Sequence, residues 1–452
     1  MTRSVLVVSA EQVGATMAGP AIRAAELARA LASACDVTLA APAPSTAPDP
    51  RVRLLEAGMA DVEALVTAAR EHDVVVAQEL PPSALGRIAG TSTALVVDLY
   101  NPIVVEVLEA VAGRSQRAQR RTQAALVHRT AALCAAADLI VCASERQRDL
   151  WIGGLALAGL IDLEAYRRDP TLRSLVAVVP FGLPSDPPPT DDGGRLRAAF
   201  PQIGEDDRVL MWGGGLWSWL DPATPMRAVG LLEHAGGVGG RSVHLVLMGA
   251  GRPGLEATGQ GPAVERALAE ARRLGLEGRL VHVNAGWVPY EERGAWLAGA
   301  DVGVSAHHDH LEARYAHRTR ILDYLWAGLP VVTTAGDALA DLVEREGLGR
   351  TVAPGDAEGF ARGCAELLGE GGEGARSRIA AVAPTLQWDR VAAPLVEWCA
   401  SPQPRRGVRQ GAVRRELLAQ QRWALEDTLA AEGPAAALRR LARRLRRVRT
   451  LR

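Results

Sequence analysis

Between Glu312 and Asp323 the chain packs Glu312, Arg314, His317, Arg318, Arg320 and Asp323 into a dozen residues. Carboxylates accept hydrogen bonds from hydroxyls, and guanidinium groups present forked donors to phosphate oxygens. That mixture suits a ligand that is both phosphorylated and rich in hydroxyls. Earlier in the chain, Gly213-Gly214-Gly215 follows the apolar run Arg208–Trp212. Consecutive glycines let the backbone approach a ligand closely, and their N–H groups favour anionic oxygens. No basic residue stands between Gly213 and Met226, so neutralising charge has to come from Arg318, Arg320 and Arg252, the last of which follows the run 244–251. His307, His308 and His310 look like metal ligands by composition, but partners at metal spacing are missing, so no metal site is expected.

These residues need a scaffold, and the pattern around them supplies one. A β-branched run at 301–305 is followed by a polar, His-rich loop and by apolar residues at helical spacing over 321–327. Gly328-Leu329-Pro330 then stops the helix and Val331–Thr334 reads as the next strand. This is a parallel βαβ unit. In the first half, strands are predicted at 4–10, 37–41, 73–77, Ala94–Asp98 and 139–143, with an amphipathic helix over 21–34. Such alternation argues for a doubly wound parallel sheet in each half. Ligands bind outside the carboxyl ends of such strands. Gly19, Asp98, Tyr100, Asn101 and Ser144 are therefore candidates for contacts on the first-half side, although Asp, Asn and Ser at these places also serve as turn and cap residues. The Pro/Gly/Asp-rich stretch 185–194 marks the boundary between the halves.

The segment Asp323-Tyr-Leu-Trp-Ala-Gly-Leu-Pro-Val-Val resembles the donor-site segment of family 4 retaining glycosyltransferases. In that family two glutamates with seven residues between them precede a Gly-x-Pro-Val-Val. Here Asp323 takes the second position, Tyr315 stands at the first, and Glu312 lies one turn earlier. The resemblance implies the GT-B fold: two Rossmann-like doubly wound domains facing across a cleft. It divides the chain into an acceptor-side domain (1–184), a linker (185–204), a nucleotide-sugar donor domain (205–384), a helix crossing back (385–400) and an Arg-rich tail (401–452). It implies transfer of a sugar from a nucleotide-diphosphate donor to a hydroxyl acceptor, metal-independent and with no cofactor beyond that co-substrate. In this reading Arg318 and Arg320, joined by Arg252, face the diphosphate with Gly213–Gly215. Asp323 holds the ribose, Glu312 the sugar, Trp287 and Val288 the base, and Gly19, Asp98 and Asn101 the acceptor. A sugar-nucleotide epimerase and a catalytically silent glycan- or nucleotide-binding relative are the alternatives on the same fold.

Composition narrows the remaining classes. With 452 residues, 48% apolar and 23% charged, the chain has the make-up of a soluble globular protein of two to three domains. It contains no lysine, which excludes a Walker-type phosphate loop and a pyridoxal Schiff base. Five scattered cysteines without a Cys-x-x-Cys fit reduced thiols in a cytoplasmic protein. No apolar run is long enough to cross a bilayer, and the immediate entry into a strand argues against a secretory leader. The net charge of −1 conceals an asymmetry, since residues 401–452 carry fourteen arginines against four acidic residues. Residues 401–411 read as mobile, and a helix is expected over 414–431. A basic amphipathic helix over 434–452 would suit an anionic membrane surface at the inner face of the membrane. No aromatics interleave its arginines, so nucleic acid is not expected. The acceptor is a glycan, a glycolipid or a small molecule, with a lipid-linked or envelope glycan favoured by the tail.

Overall fold

The apolar runs pair into two separate parallel sheets. The computed structural model describes residues 2–189, 194–249, 260–284, 286–405 and 409–439. In the first lobe the strands are β1 (Ser4–Val8), β2 (Asp36–Ala41), β3 (Val52–Glu56), β4 (Val74–Ala77), β5 (Ala94–Asp98), β6 (Leu139–Cys142) and β7 (Val176–Val178). They pair in the order β3-β2-β1-β4-β5-β6-β7. In the second lobe β8 (Arg208–Trp212), β9 (Val243–Leu247), β10 (Val281–Val283), β11 (Val302–Ser305), β12 (Val331–Thr334) and β13 (Gly349–Val352) pair as β10-β9-β8-β11-β12-β13. In both sheets the order reverses beside the first strand, between β1 and β4 and between β8 and β11. A doubly wound sheet opens its crevice at such a reversal. The two crevices face each other, which is the GT-B arrangement.

Both faces of each sheet are covered by helices, so β1, β4 and β5 are almost wholly buried and apolar apart from Ser4 and Asp98 at strand ends. The strands not expected from sequence are β3, β7 and β13. β3 is a half-exposed edge reading VRLLE, β7 has only three residues before the Pro-rich linker, and β13 reads GRTV. β3 and β13 lack the apolar run or clean alternation that a strand prediction needs, while the apolar run at 175–179 that holds β7 leads straight into the Pro-rich linker. The loop expected after β11 also contains a short helix, Leu311–Tyr315, whose first turn is capped by His310 Nδ1 accepting from the Ala313 N–H at 3.2 Å.

The helix Gly19–Leu31 enters with Pro20 in its first turn and buries Ala21, Ala24, Ala25, Leu27, Ala28 and Leu31 against the first sheet. It also buries Arg23 completely. Arg23 Nε and Nη2 donate to the two oxygens of Asp98 at 2.7 and 2.9 Å, and the remaining N–H groups reach the carbonyls of Val179 (2.9 Å) and Pro180 (3.1 Å). The pair locks the start of this helix to the end of β5 and to the chain leaving β7.

After the second lobe the chain returns, as expected, through the helix Ala393–Ala400, whose Leu395 and Cys399 join the core of the first lobe. The helix expected over 414–431 is present, as Arg409–Glu432, whereas the stretch before it is anchored at Arg405 where mobility was expected. Arg405 donates its backbone N–H to Asp138 at 2.7 Å and Nη2 to the Leu160 carbonyl at 2.6 Å. The helix Arg409–Glu432 then lies along the helix Gln116–Ala136, with Ala412 and Val413 buried in the first lobe and Arg117 paired to Glu432 at 2.8 Å. The predicted basic helix starts at 434–439, and its remainder, 440–452, lies outside the described residues.

Replacing one member of a buried ion pair strands the other charge, at a cost of about 3–5 kcal/mol. Asp98→Ala is therefore expected to lower unfolding stability by that amount in denaturant melts. A loss under about 1 kcal/mol would show that Asp98 is free to serve a ligand instead.

Candidate functional site

The carboxyl ends of β1 and β5 on one side, and of β8, β9 and β11 on the other, enclose a cavity of about 440 Å³. The second lobe contributes the more elaborate wall. After β11 the short helix presents Glu312, and the helix Thr319–Trp326 presents Arg320 and Asp323. That helix buries Ile321, Leu322, Tyr324 and Leu325 and ends at Gly328, whose φ of +70° explains the glycine.

Glu312 and Arg318 form a buried fork, with Nη1 to Oε1 at 3.0 Å and Nη2 to Oε2 at 2.6 Å. Arg318 Nε lies 3.9 Å from Asp337 Oδ2 and His307 Nε2 lies 3.7 Å from the same oxygen. Asp337 Oδ1 caps the helix Ala338–Arg345 by accepting from the N–H groups of Leu339 and Ala340, each at 2.8 Å. Burial raises the Asp337 pKa against the pull of Arg318 and these two bonds. The same burial holds His307 down at about 4, and Arg318 pushes in the same direction. His310 acts as a helix cap, as described above, and His307 Nδ1 meets the His308 carbonyl at 3.0 Å. Two of the three clustered histidines thus have local bonding roles.

Arg320 is placed differently. Its guanidinium lies 4.5 Å over the Trp212 ring, and Nη2 donates to the Gly215 carbonyl at 2.9 Å. Nη1 is buried without a partner. Among the described residues no carboxylate pairs with it, although Asp323 favours its charge from a distance, and burial lowers its pKa to about 10, which still leaves it charged at neutrality. Gly214 and Gly215 line the cavity beside it, with Gly214 at φ +76°. Gly213 does not line the cavity. Its N–H instead donates to Tyr324 Oη at 2.7 Å, and a Cβ there would come within 3.1 Å of the Tyr324 ring. The glycine run thus divides into one packing position and two ligand-facing ones.

Asp323 lines the cavity and accepts from Arg293 Nε at 3.0 Å. Arg293 is sandwiched between the rings of Tyr290 (3.6 Å) and Trp326 (4.5 Å). Trp287 and Val288 also line the cavity, while Arg252 lies outside the described residues. Trp217 and Trp219 stack on each other at 5.4 Å and form one rim.

On the first-lobe side the structure brings Gly19, Tyr100 and Asn101 to the cavity. A Cβ on Gly19 would sit 3.2 Å from Tyr100 Oη, so the glycine permits close packing of the two loops. Asp98 is not brought there, because Arg23 occupies both of its oxygens. Ser144 is a helix cap, its Oγ accepting from the Gln147 N–H at 3.2 Å. Tyr315, at the position of the missing glutamate, is also absent from the wall, and its carbonyl accepts from Gln147 Nε2 at 2.8 Å across the two lobes.

Sequence reasoning missed three lining residues. Glu106 stands in the largely apolar helix Ile103–Ala110, flanked by Val105 and Val107, and an acid between two valines was the available signal. Arg293 opens a short helix that nothing in the sequence tied to Asp323. His317 lay inside the motif but was given no role. Both of its ring nitrogens are buried without a partner, and burial, with Arg23 nearby, drives its pKa down to about 3.

Comparison with known proteins agrees with this geometry. Residues 226–370 match the family described as Glycosyl transferases group 1. No curated protein matches the sequence. Among solved structures, sucrose-phosphate synthase from Thermosynechococcus elongatus is 17% identical, with a TM-score of 0.59 over 92% of this chain and 99% of that one. HepE from Anabaena, solved in complex with UDP-glucose, is 17% identical, with a TM-score of 0.61 over 88% and 100%. The trehalose-6-phosphate synthase OtsA is 13% identical, with a TM-score of 0.61 over 89% and 100%. Two facing doubly wound lobes, with a crevice at each strand reversal and a family match across the second, make this a chain of the GT-B glycosyltransferase fold that carries a glycosyltransferase group 1 domain.

Proposed function

We propose that the protein is a retaining glycosyltransferase that moves a sugar from a nucleoside-diphosphate donor to a hydroxyl acceptor held in the cavity. The observation that carries this reading is Arg320. It is a buried guanidinium with an unused N–H, no carboxylate partner, and the Gly214–Gly215 turn beside it. An uncompensated cation in such a place is costly unless an anion is to be met there. When the sugar leaves, negative charge develops on the diphosphate, and donors fixed in advance stabilise it most where water is excluded. Arg320 and the glycine N–H groups supply that stabilisation, with no metal required in this scheme.

The other roles follow from what each side chain already holds. Asp323 keeps one oxygen for a ribose hydroxyl while Arg293 fixes the other. Glu312 accepts from a sugar hydroxyl, and Arg318 acts as the positioning residue that aims it, in place of the direct phosphate contact the sequence suggested. His317 stays neutral and offers one donor and one acceptor, the pattern a hydroxyl requires. HepE was solved with UDP-glucose and so motivates uridine as the first donor base to try.

The arginine-rich end of the chain favours a lipid-linked or envelope acceptor reached from an anionic membrane surface. Deleting 434–452 is expected to move the protein from phosphatidylglycerol vesicles to the supernatant. Equal sedimentation of both forms with vesicles would refute this.

For the active centre, Arg320→Ala should lower turnover by about 100-fold or more with UDP-glucose as donor. Unfolding midpoints should shift far less than that loss would suggest. Wild-type turnover in the variant would remove the basis of the assignment.

The neutral state of His317 also has a measurable consequence. Its pKa falls from an ordinary 6.5 when unfolded to about 3 in the fold. Only the unfolded chain binds its proton between those values, so this group contributes stability that is full above pH 6.5 and lost as the pH falls toward 3. His317→Gln should therefore gain on the wild type as pH is lowered from 6.5 to 4. A stability difference that stays constant from pH 8 to pH 4 would contradict it.

A further inference from the structure

The charges around the cavity are matched with one exception on the first-lobe side. Glu312 is held by Arg318 and Asp323 by Arg293. Glu106, on the helix Ile103–Ala110, also lines the cavity, yet it has no hydrogen-bond or ion-pair partner among the described residues. Burial, joined by the facing carboxylate of Glu312, pushes its pKa up to about 7, and Arg318 only partly offsets this. Near neutrality such a carboxyl is poised to ionise as soon as a cation arrives. The opposite wall holds the complementary exception, Arg320, which the donor diphosphate satisfies in the reading given above.

Glu106 is half-buried, and a partly desolvated carboxylate facing another carboxylate is an unfavourable arrangement. A ligand hydroxyl would give it a neutral hydrogen bond and leave the repulsion from Glu312 in place. A protonated amine would give a charge-assisted bond and cancel that repulsion. Because Glu106 comes from the first lobe and Arg320 from the second, we assign the ligand group that Glu106 meets to the acceptor. We propose that Glu106 recognises the acceptor, and that the acceptor is an amine-bearing polyol of the amino-sugar class. This rests on the transferase reading and deepens it by naming the acceptor chemistry.

The test is calorimetry on the full chain saturated with UDP, titrated in turn with glucosamine, glucose and N-acetylglucosamine. These probes share a ring and differ in the charged amine. Glucosamine should bind at least about tenfold more tightly than either neutral sugar, and the preference should collapse in Glu106→Gln. Glu106→Asp, which keeps the charge, should retain part of it. Circular dichroism melts of both variants establish that they are folded. Equal binding of the three sugars by the wild type, or no binding of any, overturns the proposal, as does a preference that survives in Glu106→Gln. Titration with UDP-glucose alone separates the two levels. Absence of donor binding defeats the transferase reading, whereas donor binding without amine preference defeats only the inference about Glu106.

Discussion

The arrangement depends on how Tyr324 is seated. Its hydroxyl accepts from the Gly213 N–H at 2.7 Å and donates to the Val304 carbonyl at 2.8 Å. The ring fills the space above Gly303, where a Cβ would fall 2.3 Å from its Cγ. One side chain thereby ties the helix Thr319–Trp326 to the ends of β8 and β11 at the strand reversal. Arg320 and Asp323 project from that helix, and the glycine turn follows β8. Their spacing is consequently fixed by a buried aromatic with both of its polar contacts satisfied, and not by loop packing. Only glycine at 303 and 213 leaves room for this seating, which gives those two residues a purpose distinct from ligand approach.

Around this anchor, charge is distributed by pairing. Arg23 with Asp98, Arg318 with Glu312, and Arg293 with Asp323 each join chain segments that meet at the cavity. The first two pairs are buried, and in the third Arg293 is buried while Asp323 is partly exposed; a lone buried member would be strongly disfavoured, so these pairs fix geometry more than they add stability. Arginine is suited to this because its planar fork satisfies a carboxylate at two points and still leaves donors for carbonyls, as Arg23 shows. In a chain without lysine the same residue type serves as scaffold and as ligand contact. Partners alone separate the two uses: Arg318 is engaged by a carboxylate, while Arg320 bonds only to a carbonyl and stacks on Trp212.

That distinction explains which parts of the molecule were legible in the sequence. Strands rich in apolar or β-branched residues, such as β5, β8 and β12, are found where the pattern puts them, because burial on two faces favours such a composition. β3 and β13 escape notice because an edge strand need not be apolar. The residues near Asp323 were legible as a cluster, since charge in a βαβ loop is unusual. Their division of labour was not, because it depends on contacts between residues far apart in the chain. Asp98 looked like a ligand contact only while its partner, Arg23, was hidden 75 residues away. Arg293 likewise sits 30 residues from the carboxylate it orients.

The replacement of a glutamate by Tyr315 then has a structural resolution. His310 caps a helical turn that carries Glu312 into the cavity wall, so a carboxylate reaches the cavity from one turn earlier than the family pattern would place it. The turn leaves the Tyr315 carbonyl facing the first lobe, where Gln147 Nε2 donates to it and to the Tyr100 carbonyl at 2.7 Å. Gln147 is held in turn by Ser144 and by the Ala143 N–H, which donates to its Oε1 at 2.7 Å. A carbonyl at 315 is available whatever the side chain, so the contact between lobes places no demand on residue type there. Position 312 has to meet the fork of Arg318 and is correspondingly constrained. The loop can therefore diverge at 315 while a carboxylate remains at the cavity wall.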